Sequence, residues 1–139
     1  MVVQFKSPYQ GKIVTGVTGQ SVTFQWKFSG RVDEVIWALK GDGVNLIDKR
    51  NGLLAALDRH GIDLVSPGSV PDAYRGRVNG NRTGDSSSGL ASFTLHNLSK
   101  EHGRIYGCEL SPDDPNQAPI IDLVQLLLVG MYLKRKDSG

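Results

Sequence analysis

The sequence predicts an all-β fold, a sandwich or barrel of short antiparallel strands. Three features carry that expectation. Apolar and polar residues alternate through several runs, turn-forming clusters separate the runs at short intervals, and helical spacing never lasts beyond about two turns. A length of 139 residues, 39% of them hydrophobic and 22% charged, suits one globular domain.

The runs follow in order. In SVTFQWKF, Val22, Phe24, Trp26 and Phe28 share one face and Thr23, Gln25 and Lys27 the other, as in a strand covering a core on one side. VDEVIWALK sets Val35, Trp37 and Leu39 on one face and stops at the turn cluster Gly41-Asp42-Gly43. VNLID (44–48) repeats the strand pattern up to Lys49-Arg50-Asn51-Gly52, which completes an antiparallel meander. In LLAALDRHGIDLVSPG (53–68), Leu53, Leu54 and Leu57 have near-helical spacing, but Gly61 and Pro67 limit a helix to about two turns. A short strand with an irregular connection fits that segment equally well. NGNRTGDSSSG (79–89) reads as a flexible loop or turn. Alternation resumes through Phe93 and Leu95, then through Tyr106, Cys108 and Leu110. SPDDPNQAP is a proline-bounded loop, and IIDLVQLLLV is the final strand.

Composition removes several classes of function. A formal charge of +2 argues against wholesale binding of a nucleic-acid backbone. One cysteine excludes an internal disulfide and a CxxC redox motif and argues against a four-ligand zinc site. His60, His96 and His102 lack HExxH or HxH spacing, so neither a metal nor a cofactor is expected. The start, MVVQFKSPYQ, lacks the charged and apolar regions of a secretory signal. APIIDLVQLLLVGMYL is interrupted by Asp122 and Gln125 and is too short for about 30 Å of hydrocarbon.

LHNLSKEHGRIYGC (95–108), with Tyr106 two residues before Cys108, has the form of the approach to strand F in variable-type immunoglobulin domains. GQSVTFQW resembles the lead into strand B, Trp37 follows Trp26 by eleven positions at the place of the strand-C tryptophan, and YRGRV (74–78) resembles strand D. Over residues 12–130 the chain therefore resembles a V-set immunoglobulin domain. The resemblance implies a two-sheet antiparallel immunoglobulin-like sandwich lacking the intersheet disulfide. Residues 1–130 are expected to form it and 131–139 a flexible C-terminal tail. It also implies a tyrosine corner at Tyr106 and a core holding Phe24, Trp26, Trp37, Tyr106 and Cys108.

Two departures stand out. Trp26 occupies the usual strand-B cysteine position. An indole buries about 150–250 Å², several kcal/mol as an upper figure, against about 2–4 kcal/mol for a disulfide. His102 stands where the family commonly has an aspartate paired to a strand-D arginine, which leaves Arg75 or Arg77 without that partner although Glu101 is adjacent.

Plainer readings outweigh sharper ones at single residues. Cys108 is expected as a buried thiol rather than a nucleophile, and His102 as an exposed turn residue rather than a pH switch. Asp113 and Asp114 read as a solvated loop rather than a calcium site. Lys134, Arg135 and Lys136 read as a tail rather than a membrane contact. Asn81-Arg82-Thr83 and Asn97-Leu98-Ser99 are N-glycosylation sequons, expected at surface turns.

The last strand bears most on function. If odd positions face the core, Leu123 and Leu127 turn inward and Ile120, Val124, Leu126 and Leu128 stay outside. Either register leaves an apolar row outside, which marks a protein contact unless a tail or loop, such as 131–133, covers it. The resemblance makes the sheet of strands G, F, C and C′ the docking face. Ala38, Lys40, Asn45, Glu109, Val124 and Leu126 would lie on it, with Asp113, Asp114, Asn116 and Gln117 at its rim. The implied function is recognition and adhesion by the extracellular part of a single-pass plasma-membrane receptor, attached through segments outside this sequence. The partner is another immunoglobulin-like protein, first of all a second copy in a weak homophilic dimer, with Lys40 and Glu109 pairing across the two-fold axis. The Trp26/Cys108 pattern is similar to that of cnidarian allorecognition receptors, which implies self/non-self recognition. A heterophilic immune or adhesion receptor is the alternative. An enzyme or ligand carrier would need polar residues converging in a cavity that bulky side chains fill here.

Overall fold

The structure is a computed structural model and describes residues 2–130. The expectations for 131–139, including a cover by 131–133, fall outside the described residues. The strands are β1 (Gln4–Phe5), β2 (Ile13–Val17), β3 (Val22–Ser29), β4 (Val32–Leu39), β5 (Leu53–Leu57), β6 (Val78–Gly84), β7 (Gly89–Leu95), β8 (Ile105–Pro112) and β9 (Ile120–Val129). One sheet has the order β1-β3-β7-β6 and the other β2-β9-β8-β4-β5, with β2 parallel to β9. In the letters of the V-set these are A-B-E-D and A′-G-F-C-C′. The fold is a V-set immunoglobulin-like sandwich without an intersheet disulfide, and Cys108 is a free, buried thiol.

The alternation in β3 does what period two requires: Phe24, Trp26 and Phe28 are buried, and Thr23, Gln25 and Lys27 are exposed. Phe24 pairs with Phe93, Trp26 with Ala91, and Phe28 with Gly89, where a Cβ would strike the Phe28 ring. On the facing sheet Trp37 lies opposite Cys108 and Leu39 opposite Tyr106. Trp37 stacks on Phe93 with centroids 5.9 Å apart, in space left by Gly80 of β6. Its indole N–H is buried without a partner, a defect tolerated for packing.

Trp26 is held by a buried carboxylate. Its Nε1 donates to Asp122 Oδ2 at 2.8 Å, and the same side chain accepts Tyr9 N–H at 2.7 Å and Gln10 N–H at 2.9 Å. Gln10 (φ +54°) and Gly11 (φ +80°) make the left-handed turn by which the chain leaves one sheet for the other. Tyr9 packs edge-on against Trp26 at 5.3 Å, and its hydroxyl accepts Gln25 N–H at 2.9 Å.

The tyrosine corner is present. Tyr106 Oη donates to the His102 carbonyl at 2.5 Å and takes a hydrogen bond from Tyr74 Oη at 2.9 Å, and burial pushes both phenols up from their ordinary range. His102 is fully buried, contrary to the exposed turn expected of it. Its Nδ1 accepts Ser99 N–H at 2.9 Å and its Nε2–H donates to Ala73 O at 2.6 Å, so both ring nitrogens are used and one tautomer is fixed. Arg75 instead pairs with Asp72 at 2.8 Å, and Arg77 donates to Asn97 O at 2.7 Å.

Four local expectations are corrected. VNLID is not a strand: Leu53–Leu57 takes the place beside β4, leaving 44–48 a single bridge, Ile47 to Lys40. Segment 79–89 is mostly β6, where inward Gly80 and Arg82 alternate with outward Asn79, Asn81 and Thr83, and only 85–88 turns. In YRGRV, Tyr74 ends a 3-10 helix and 75–77 form a turn, and β6 begins only at the last residue, Val78. In β9 the even positions face inward: Asp122, Val124 and Leu126 are buried, while Leu127 is exposed. Val124 and Leu126 therefore belong to the core and cannot form a docking face.

Asp122→Ala is expected to lower stability by about 3 kcal/mol or more, because three donors lose their acceptor together. Asp122→Asn, which keeps one acceptor oxygen, should lose distinctly less in urea titration. Trp26→Ala should lose about 3–5 kcal/mol. Burial pushes the Cys108 thiol far up, with Asp122 and Glu109 adding to it, so a thiol reagent should label it only on unfolding.

Candidate functional site

The outer face of the five-stranded sheet is partly covered by the chain's own C–C′ connection. Outward positions there are Ile36 and Ala38 on β4, Gly107 and Glu109 on β8, Ile121 to Val129 at odd positions on β9, and Ile13, Thr15 and Val17 on β2. After Leu39 the chain folds back over them. Asp48 N–H donates to Leu39 O at 2.8 Å and Gly41 N–H to Leu46 O at 2.9 Å. Ile47 then rests where a side chain on Gly107 would be, next to Leu123. Only glycine at 107 leaves that notch open.

An ion pair fixes the same connection. Lys49 Nζ lies 3.0 Å from Glu109 Oε2, and the Glu109 side chain is 6% exposed. A carboxylate so buried needs a counter-charge, so the pair ties the connection to the sheet. Glu109 and Ala38, expected on the docking surface, are thus buried beneath cover. Lys40, expected to meet Glu109 of a partner, turns instead to Gly41 O at 3.1 Å and Gly43 O at 2.8 Å.

The loop tip is the most exposed apolar point. Gly43 (φ +105°) and Asn45 (φ +54°) bend it, which leaves Val44 92% and Leu46 49% exposed. Asn45 is exposed as expected. Val44 and Asn45 border an open groove of about 590 Å³ with Phe5, Pro8, Ile121 and Leu123. Beyond it, Ile13 (59% exposed), Leu127 (49%) and Val129 (43%) form a strip along β2 and β9, where Thr15 pairs with Leu127 and Val17 with Val129.

The expected rim divides. Asp113, Asp114 and Asn116 are exposed, but Gln117 is structural: it accepts Val3 N–H at 2.9 Å and donates to Val3 O at 2.8 Å, clamping the start of the chain. Asp113 shares Arg59 with Asp33, at 3.4 and 2.5 Å, at the end of the sandwich. Sequence reasoning missed Ile13, Val44, Leu46 and Lys49, and placed Leu127 inside. The outward glycine at 107 was the available signal that something covers this face. Asn81 and Asn97 are both exposed; Asn97 lies in a turn at φ +52°, whereas Asn81 lies within β6 and not in the turn expected. Among the described residues no group of three or more His, Cys, Asp or Glu is placed to hold a metal ion, and no helix is long and apolar enough to cross a membrane.

This architecture defines an immunoglobulin-like domain, and solved structures share it. The chain is similar to murine CRIg, with a TM-score of 0.63 and 20% identity over 93% of this chain and 99% of that one. It is also similar to a structure from photo-crosslinking analyses of multimeric cell-adhesive interactions of VGSC beta subunits, with a TM-score of 0.59 and 14% identity over 86% and 93% of the respective chains. No family model and no curated protein sequence matches the chain.

Lys49→Ala should loosen the connection without unfolding the domain. Amide exchange over 41–49 should speed up several-fold while β3 and β8 keep their protection. Gly107→Val should do so more strongly, because its side chain displaces Ile47.

Proposed function

We propose that this domain is a non-enzymatic recognition module of a cell-surface receptor, binding an immunoglobulin-like partner through the β2–β9 strip and the adjoining loop tip. One observation carries the reading: Ile13, Leu127 and Val129 are apolar side chains exposed on adjacent strands, without a cover among the described residues. Exposed apolar rows of this kind mark protein contacts. Their outward neighbours Thr15 and Gln125 are uncharged, so a two-fold copy can meet the strip without like-charge repulsion. That supports a homophilic pair, strengthened between opposed cells by avidity. Asp113, Asp114 and Asn116 lie at the sandwich end, where they select partners without supplying the attraction. The adhesive interactions named for the VGSC beta subunits are in keeping with this role. Self/non-self recognition is its narrowest form. It rests on the Trp26/Cys108 resemblance alone, without support from the structural likenesses.

Sedimentation equilibrium of the purified domain and aggregation of cells displaying it test the reading together. Ile13→Asp and Leu127→Asp should each weaken self-association about tenfold or more and leave the melting curve in place. Leu126→Asp should unfold the domain instead, because that side chain is in the core. Strip variants that self-associate like the parent would put the contact elsewhere. A parent that never self-associates would make a heterophilic receptor the better account.

A further inference from the structure

The outer face of the four-stranded sheet has the opposite character to the docking strip. Thr23, Gln25, Ser92, Thr94, Asn79 and Asn81 line it in register across β3, β7 and β6, and Lys27 adds a charge. Asn81 stands mid-way along β6, exposed, and Thr83 is exposed on the same side because strand side chains repeat every second residue. Arg82 between them turns inward, where its guanidinium donates to Val32 O at 2.8 Å, Asp58 O at 3.2 Å and Asp33 O at 3.4 Å. The backbone of the triplet is held in the β6–β7 ladder, Arg82 alone of its three side chains is tied inward, and both side chains a glycan acceptor site requires stay open to solvent. β6 is also the edge of its sheet, and an open edge is a template for pairing with another chain.

We propose that Asn81 carries an N-linked oligosaccharide, and that this sugar makes the sandwich one-sided. It covers the four-stranded sheet and its β6 edge and leaves the β2–β9 strip bare for the partner. The proposal rests on the extracellular reading above. In the transfer, Asn81 Nδ2 loses a proton and bonds to the anomeric carbon of an oligosaccharide carried on a lipid diphosphate. The bond from that carbon to the diphosphate oxygen breaks, and the lipid diphosphate leaves with the electron pair and, in the net reaction, takes up the proton. Asn97 is placed differently: it lies beyond the end of β7 on neither sheet face, its carbonyl holds Arg77 at 2.7 Å, and Ser99 Oγ of its triplet donates to Glu101 at 3.1 Å.

The test secretes the full chain from human cells behind a cleavable signal and treats the signal-cleaved product with peptide N-glycosidase in heavy-oxygen water. Asn81 should become heavy-oxygen-labelled aspartate in most chains. Asn81→Gln and Thr83→Ala should each abolish that mark and one sugar's mass, and Asn97→Gln should leave it. Self-association of the glycosylated and Asn81→Gln chains should agree within about twofold. Moving the sugar onto the strip, with Gln125→Asn and Leu127→Thr in the Asn81→Gln background, should abolish self-association beyond what the enzymatically stripped variant loses. An unmodified Asn81 on signal-cleaved chains overturns the site. A rise of about tenfold or more on removing the Asn81 sugar overturns the one-sidedness. Absence of self-association in every form, with Asn81 occupied, sinks the homophilic reading and leaves the modification standing.

Discussion

The Asp122 carboxylate is the interaction on which the rest of the sandwich depends. It sits in β9 on the inward side and gathers an indole N–H from β3 and two backbone N–H groups from the crossing between β1 and β2. Burying a carboxylate is unfavourable unless hydrogen bonds replace the water it gives up, and charge-assisted bonds are about twice as strong as neutral ones. Three donors converge here, so the group ties both sheets and the sheet-switching turn at one point. A disulfide would join only two strands. The Asp122 contact with Trp26 also fixes the parity of β9, and parity decides which row of that apolar strand reaches solvent.

That parity shows why part of the site was illegible in the sequence. IIDLVQLLLV is apolar at both odd and even positions, so hydrophobicity could not choose between them. The one polar cue, Asp122, points outward by any composition rule, yet it is inside because an indole there needs an acceptor. His102 misled in the same way: a histidine in a turn reads as exposed until its two backbone partners are known. The core strands were legible because they alternate cleanly. Phe24, Trp26, Phe93, Tyr106 and Cys108 all lie where period two and the tyrosine-corner spacing put them. Segment 44–48 alternates as well, but a strand needs a neighbour. With Leu53–Leu57 already beside β4, those residues had no ladder to join and lay across the sheet instead.

The covering loop alters what a docking face means in this fold. Ile47 and Lys49 use the centre of the five-stranded sheet for internal packing and an internal ion pair. The apolar side chains left exposed therefore lie on the β2–β9 side and at the loop tip. Fixing the loop also limits the conformational freedom of Val44 and Leu46, which lowers the ordering cost of any contact made there. Lys40 and Glu109 are both engaged within the chain, so neither charge is free to pair with a second molecule.

A sandwich closed by an indole and a carboxylate needs no oxidant to fold. Disulfide-closed domains are restricted to oxidising compartments, because reduction removes part of their stability. Here the lone thiol is buried and held protonated by its surroundings, so oxidation and reduction leave the core unchanged. The missing cross-link reports how the core closes and not where the protein resides. Asn81 and Asn97 are exposed, and the apolar strip sits on a separate part of the same sandwich. The same alternation that buries Trp26 turns Asn81 outward on one sheet, while the parity set by Asp122 turns Leu127 outward on the other. The buried row and the exposed row of each sheet are in this way fixed by the same residues.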